Sequence, residues 1–390
     1  MGDIKSGFFF KIGSLVLVLF LLFNLSACNK EEEEELELPS CGSFTTPEMF
    51  FTVLPLSIPN IRVFVVLGHM NPPGHTLPSG HGGFYLEDHT VRVDVYCPGD
   101  GYITCIVEVD HVTGGYKDYT IEIKPCEEFR TTFGHMSSLS DWILDTAGGF
   151  DDSECDTYTA GGATYTHCRK DVMIPVEAGE VIGTAGGLPG QYGLDFGTID
   201  ERITLDFANK ERFADHPYLH AVSPVHYYSP ALQAFLRSIA GEVGPRGRQL
   251  RTIPPIEGEV EQDVPGTAQG IWFREGAPTN PEDPHMALVH DNVDPTSPII
   301  SMGTSVPGFN SGMYTFTPLA AGQVDREFNQ VTPDGLIYRY IPVRWFDLAP
   351  PPNTVLLVKM MSSTRIRVEK QALTDGPPWN FTGNAVDFIR

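Results

Sequence analysis

Alternation of apolar and polar residues predicts β-strands over much of the chain. In residues 91–95 and 119–123, apolar side chains stand at every second position. That period of two is typical of strands with one buried face. The turn at residues 97–101 is followed by an apolar segment that predicts the returning strand of a hairpin. Residues 142–165, rich in Gly, Asp and Thr, predict an inserted surface loop instead.

One segment has the spacing of an amphipathic helix. Apolar residues between Leu232 and Ile239 recur at positions that share one helical face. Ser229 and Pro230 are typical of a helix cap and first helical residue. Gly241 is predicted to end this helix.

A change in composition predicts a second domain. Residues 245–258 combine Pro, Gly and Arg and predict a linker between residues 44–244 and residues 259–390. Beyond the linker there is no cysteine and only two histidines remain. Short apolar segments separated by turns predict seven strands, arranged as an antiparallel barrel or sandwich. They lie at 266–273, 286–290, 299–303, 312–317, 336–340, 354–360 and 364–370. The predicted fold class is therefore all-β.

Residues 1–27 predict a signal peptide. An apolar stretch from Ile12 to Phe23 is flanked by lysines and leads to Leu25-Ser26-Ala27-Cys28. This pattern resembles a bacterial lipoprotein signal, which is cut before a cysteine that becomes lipidated. A plain signal peptide and a short membrane anchor are the alternatives. The stretch is shorter than the roughly 20 residues that span a bilayer. Residues 28–43 include an acidic run and predict an extended tether.

Charge and cysteine content agree with an exported protein anchored to the membrane only by lipid. The net charge of -24 argues against nucleic acid and anionic lipid as partners. By analogy with known sorting signals, Asn29 after the lipidated cysteine indicates the outer membrane. In an oxidising compartment, cysteines form disulfides rather than zinc thiolates. Cys155 and Cys168 flank one loop and are predicted to pair. The pairing of the other four cysteines stays open: Cys41, Cys97, Cys105 and Cys126.

Candidate chemistry concentrates in one loop. His69, His75 and His81 lie six residues apart in a segment rich in Pro and Gly, between two apolar runs. Proline cannot continue a helix, so we expect these imidazoles on strand ends and a stiff loop. Such a loop suits a metal or acid–base site. The alternative is a turn-rich connection whose histidines cap backbone groups.

The order of motifs resembles the lysostaphin-type zinc endopeptidases of bacterial cell walls. Residues 95–103 match the hairpin of that family, residues 133–139 match its "YaHLs" segment, and residues 176–187 match its glycine-rich segment. The resemblance covers about residues 64–197. It implies a duplicated hybrid motif, an antiparallel β-sandwich, for residues 44–244.

The metal ligands of the family are incomplete here. His81 stands at the position of the first metal histidine, but Tyr85 replaces the aspartate that follows it. Gly193 and Asp195 stand where the family has His-x-His, so the base histidine of that pair is absent. His135 matches the other catalytic histidine of the family.

Two interpretations of this incomplete set remain open. His81 and Asp195 could bind zinc together with His135, while His75 lies near enough to act as a ligand or a base. Alternatively, Asp195 and His135 form a hydrogen-bonded pair where the metal has been lost.

The sequence leaves open whether the protein is an enzyme. We predict a non-catalytic envelope lipoprotein that binds a cell-wall component or a protein partner. One alternative is a divergent zinc-dependent hydrolase of peptidoglycan or peptides, with His135 catalytic and His81, Asp195 and His75 as metal ligands. A second alternative is a carrier that holds a small ligand in the C-terminal β domain.

Overall fold

A computed structural model describes residues 37–43, 49–151, 153–160, 162–213, 217–244, 247–346, 354–373 and 377–390. The predicted signal peptide, Cys28 and most of the acidic tether lie outside these residues. No helix within the described ranges is long and apolar enough to cross a membrane. Leu38–Arg390 forms one compact unit.

The described chain is nearly all β, which confirms the predicted fold class. Its first sheet joins twelve strands, and only β1 and β11 pair in parallel. These strands are β1 (Ile61–Val65), β2 (His81–Leu86), β3 (Val93–Tyr96), β4 (Gly101–His111), β5 (Tyr116–Cys126), β6 (Phe129–Leu139), β7 (Glu154–Ala160), β8 (Ala163–Val176), β9 (Val181–Ala185), β10 (Gly193–Asp200), β11 (Ala240–Gly244) and β12 (Gly247–Leu250). The path of the sheet is β12-β11-β1-β2-β10-β6-β5-β4-β8-β7, while β9 pairs with β6 and β3.

The second sheet is antiparallel throughout and follows the path β17-β19-β20-β21-β13-β14-β15-β16-β18. Its strands are β13 (Gly270–Arg274), β14 (Met286–His290), β15 (Pro298–Met302), β16 (Gly312–Thr315), β17 (Tyr338–Tyr340), β18 (Val343–Arg344), β19 (Thr354–Ser362), β20 (Arg365–Ala372) and β21 (Val386–Ile389). Each of the seven predicted strands overlaps one of these. The two short strands β18 and β21 were not predicted.

The surface-loop prediction for residues 142–165 is wrong. This segment contains helix α1 (Asp141–Ala147), strand β7 and the start of β8. Most described residues of β7 are exposed, so no apolar alternation marks it as a strand. Helix α2 (Pro230–Ser238) begins at the predicted proline. It ends three residues before Gly241, because β11 begins at Ala240.

Two disulfides are formed by the described cysteines. Cys155 and Cys168 face each other across β7 and β8 and are bonded. Cys41 is bonded to Cys126 at the end of β5. The remaining two cysteines, Cys97 and Cys105, are buried free thiols, so the expectation that all six would pair is wrong. Both thiols lie in the closely packed interior, where burial raises their pKa values to about 12 and about 11.

Three apolar clusters organise the packing. Aromatic side chains of β2, β6 and β10 fill the core of the first sheet. Apolar side chains, including Trp272 and Phe388, fill the core of the second sheet. A carrier needs an open interior, and this filled core gives that alternative no support. A third cluster joins the two sheets, with Leu77 from the first part of the chain beside Val289 and Ile299 of the second sheet. Strand β12 lies inside the segment predicted as a linker, and the domain boundaries stay a prediction.

Candidate functional site

Three neighbouring strands place the candidate residues on one face of the first sheet. In β10, Asp195 is two residues before Gly197, which pairs with His81 at the start of β2. Side chains two residues apart lie on the same face, so the imidazole and the carboxylate lie side by side. A Cβ atom at position 197 would lie 2.7 Å from Thr132 Oγ1 and 3.1 Å from the Cβ atom of His81, so glycine avoids these close contacts.

His135 reaches the same face from β6, on the other side of β10. Its neighbour Gly134 pairs with Asp195. The φ angle of His135 is 61°, which is uncommon for a residue other than glycine. Such backbone conformations cluster where function requires a side chain to be aimed in a given direction. No sequence pattern predicted this backbone conformation.

The two imidazoles converge on one oxygen of Asp195. The Nε2 atoms of His81 and His135 each lie 3.5 Å from Asp195 Oδ2. These distances exceed those of good hydrogen bonds. The distance from His81 to Asp195 is close to the separation of about 3.4 Å between two ligand atoms of a tetrahedral zinc ion with bonds of about 2.0–2.1 Å. The side chains of His81, Asp195 and His135 are 28%, 38% and 44% exposed, so solvent and a substrate can reach them.

Each ring is held through its other nitrogen atom. Nδ1 of His81 lies 2.9 Å from Ser79 Oγ, and Nδ1 of His135 lies 2.8 Å from Asp118 Oδ2. Such contacts fix the orientation and the tautomer of metal-binding or catalytic imidazoles. They leave both Nε2 atoms directed toward Asp195.

His69 and His75 bring two more imidazoles to the same place. The rings of His75 and His81 meet edge to face with centroids 5.2 Å apart. Burial, followed by the charge of His81, lowers the pKa of both His69 and His75 to about 4, although Asp195 opposes this shift. Both rings are therefore neutral at physiological pH, which is the form that binds metals. Nδ1 of His75 is buried and has no hydrogen-bond partner.

Asp195 is the electrostatic centre of the cluster. Burial opposes its ionisation, but the surrounding imidazoles, led by His135, outweigh that effect and hold its pKa below the ordinary value. The pKa of His135 is raised to about 9, mainly by Asp195 and against burial, with a further contribution from Asp118. Without a metal, Asp195 is thus a carboxylate beside a protonated His135.

Among the described residues, the histidine-containing group whose ligand atoms lie close enough together to share a metal ion adjoins this cluster. His111, Asp118 and His135 each offer one ligand atom, and these atoms lie within 4.8 Å of one another. The buried Asp118 lies 3.1 Å from His111 Nε2 and accepts a hydrogen bond from the Gln191 amide. Sequence reasoning did not place Asp118, Gln191 or His111 in the site. Asp118 lies at a polar position in the alternation of β5, so the sequence pattern did not indicate that its side chain is buried.

Tyr85 lies on β2 opposite Gly193, at the position where the resembling family has a metal-binding aspartate. Burial, with Glu242 and Asp195 nearby, raises the pKa of its phenol. The phenol is therefore protonated at neutral pH and is a poor metal ligand.

Comparisons with known proteins do not assign a family or a function to this chain. No protein-family model matches the chain, and no curated protein matches it. Among solved structures, the NMR solution structure of lysostaphin aligns with 84% of this chain and 86% of its own length. The identity is 11% and the TM-score is 0.23. So low a TM-score carries no argument about fold or function.

Proposed function

We propose that the protein is an exported, zinc-dependent hydrolase of peptides. In this proposal His81, His75 and Asp195 bind the metal, and His135 transfers protons. The observation that carries it is the convergence of two oriented imidazole Nε2 atoms on Asp195 Oδ2, each at 3.5 Å, on an accessible face.

The donor set is chemically suited to zinc. Imidazole nitrogen and carboxylate oxygen are its usual ligands in catalytic sites, where three protein ligands leave one position open. His75 has a buried Nδ1 without a hydrogen-bond partner, and the lone pair of this nitrogen could coordinate a metal ion. His69 and Tyr85 border the group without being needed as ligands.

The residues of the chain have distinct roles in this proposal. Bound zinc would polarise the peptide carbonyl and acidify a water molecule. His135, held through Nδ1 by Asp118, would donate a proton from Nε2 to the leaving nitrogen. The Gln191 amide donates to the same carboxylate and so fixes Asp118.

For the substrate we propose a peptide of the bacterial cell wall. This is supported by the motifs at residues 95–103, 133–139 and 176–187, which resemble lysostaphin-type enzymes. The two disulfides are typical of an exported protein. A lipid anchor at Cys28, in the outer membrane, would keep the site near that substrate.

A second candidate function is binding of a cell-wall component or a protein partner without catalysis. Tyr85 and Gly193 favour it, because they replace an aspartate and a histidine of the resembling family at adjacent positions of β2 and β10. The accessible face around Asp195 would then bind the ligand but lack the complete catalytic set.

Zinc content and peptide cleavage test the proposal. Elemental analysis of the full chain is expected to find one zinc, absent from Asp195→Asn and His81→Gln and present in the control His111→Gln. His135→Gln is expected to keep zinc and lose cleavage of cell-wall peptides. Zinc lost only from His111→Gln would place the metal in the adjoining group and refute the assignment. Zinc without any cleavage by the wild type would favour the binding function.

A further inference from the structure

The loop that carries His69 and His75 lies between the two sheets. Its ends are paired at the base, where Gly68 N–H donates to Ser79 O and Ser79 N–H donates to His69 O, both at 3.0 Å. At its tip, Asn71 and His75 exchange backbone hydrogen bonds of 2.8 and 3.1 Å. The loop is thus a closed turn, and residues 76–78 connect its tip to its base.

Ser301 of the second sheet and Glu282 of the connection between β13 and β14 hold one peptide group of this segment at both ends. The carbonyl of Thr76 accepts a hydrogen bond of 2.6 Å from Ser301 Oγ in β15. The N–H of Leu77, in the same peptide group, donates to Glu282 Oε2 at 2.9 Å. Glu282 and Ser301 are both buried. Buried hydrogen bonds that cannot exchange with water fix the position of the groups that they join.

Neighbouring contacts reinforce the position of this peptide group. The hydroxyl of Tyr218 donates to Glu282 Oε1 at 2.9 Å. The ring of Tyr218 lies over Gly80, where a Cβ atom would approach Tyr218 Cδ1 to 2.5 Å. The side chain of Leu77 is buried in the apolar cluster that both sheets share. The segment after His75 is therefore fixed by polar and apolar contacts together.

We propose that the second sheet, together with the connection between β13 and β14, acts as the positioning element of the metal site. Glu282 and Ser301 are positioning residues, which hold the peptide group one residue after His75 and so fix its imidazole beside His81 and Asp195. This inference rests on the proposed function, because His75 must be a ligand for its position to affect zinc binding. The inference gives the C-terminal region a role in positioning a metal ligand, whereas its filled core gives no support to a role as a carrier.

The zinc affinity of the full chain tests this role, measured by competition with a chromophoric chelator. Glu282→Gln and Ser301→Ala are expected to weaken zinc binding about 10- to 100-fold, the usual effect of removing a group that orients a ligand. Glu369→Gln is the matched control. Glu369 is also a buried glutamate, on β20, and it accepts a hydrogen bond from Thr382 N–H far along the chain from the loop. This control is expected to bind zinc as the wild type does.

A double-mutant cycle separates positioning from general loss of structure. In a His75→Gln background, Glu282→Gln is expected to have no further effect on zinc affinity, because both changes act through the same ligand. Thermal unfolding without zinc verifies that each variant is folded, and Ser301→Ala provides the milder change. Equal affinities for Glu282→Gln, Ser301→Ala and Glu369→Gln would overturn the inference, as would an undiminished effect in the His75→Gln background. A wild type that binds no zinc would instead refute the proposed function, and the inference with it.

Discussion

Burial of Glu282 predicts that its carboxyl group makes folding stability depend on pH. Burial raises its pKa from 4.5 to about 7, against the hydrogen bonds donated by Leu77 N–H and Tyr218 OH. Because the pKa is higher in the folded state, the folded protein binds more protons between pH 4.5 and 7. The stability contributed at low pH is therefore lost as the pH rises through that range. One pKa unit corresponds to about 1.4 kcal/mol, so the loss between pH 5 and pH 8 is about 2.5 kcal/mol.

The Glu282→Gln variant isolates this contribution. Glutamine keeps an acceptor oxygen but does not titrate, whereas every other group titrates in both proteins. Urea unfolding of the oxidised full chain, followed by tryptophan fluorescence, gives the free energy of unfolding of each at pH 5 and pH 8. The stability of the wild type relative to Glu282→Gln is expected to fall by about 2.5 kcal/mol between these pH values.

A stability difference that stays constant within about 0.5 kcal/mol would refute the reasoning, because it would mean that Glu282 has the same pKa in the folded and unfolded chains. A difference that grows with pH would have the wrong sign, and it would show that the carboxylate is stabilised by its hydrogen bonds more than burial disfavours it.

Three further predictions concern other parts of the chain. In zinc-free protein the lowered pKa of His75, about 4, makes stability fall as the pH drops below 6.5. His75→Gln should therefore gain about 2 kcal/mol relative to the wild type between pH 7.5 and pH 5, measured by urea unfolding. Asp387→Asn should cost about 1 kcal/mol at pH 7, because the carboxylate pairs with Arg367 at 2.7 Å and has a pKa of about 2. That cost should shrink as the pH falls below 3.8, and a cost independent of pH would contradict it. Gly82→Ala places a Cβ atom 2.2 Å from a carbonyl oxygen of β1 and should destabilise the protein by about 2–3 kcal/mol in thermal unfolding. Gly383→Ala, which meets no atom within 4 Å, should leave stability nearly unchanged.

Local patterns predicted the strands well where one apolar face is buried. Unbroken apolar runs were equally informative: residues 286–289 are apolar and buried, and β14 occupies Met286–His290. The strand at residues 154–160 was not predicted, because the described side chains of β7 are largely exposed. Cross-strand pairing and a disulfide stabilise β7 instead of apolar burial. The number of disulfides could not be deduced either, because buried thiols such as Cys97 look the same in sequence as bonded ones.

The candidate site was partly accessible to sequence reasoning. The order of motifs singled out His81, His135 and Asp195, and the structure places them on adjacent strands. Contacts between residues far apart in the sequence could not be predicted from local patterns. Asp118 interrupts no pattern that could mark it, and Glu282 meets Leu77 across 205 residues of sequence. Such contacts depend on how the two sheets pack, which local periodicity does not encode.

The most direct test of the metal site is anomalous scattering at the zinc absorption edge from crystals of the zinc-loaded full chain. We predict one strong peak at the face of the first sheet, within bonding distance of Asp195 Oδ2, His81 Nε2 and the His75 ring. A peak between His111 and Asp118, or no peak at either group, would contradict the account.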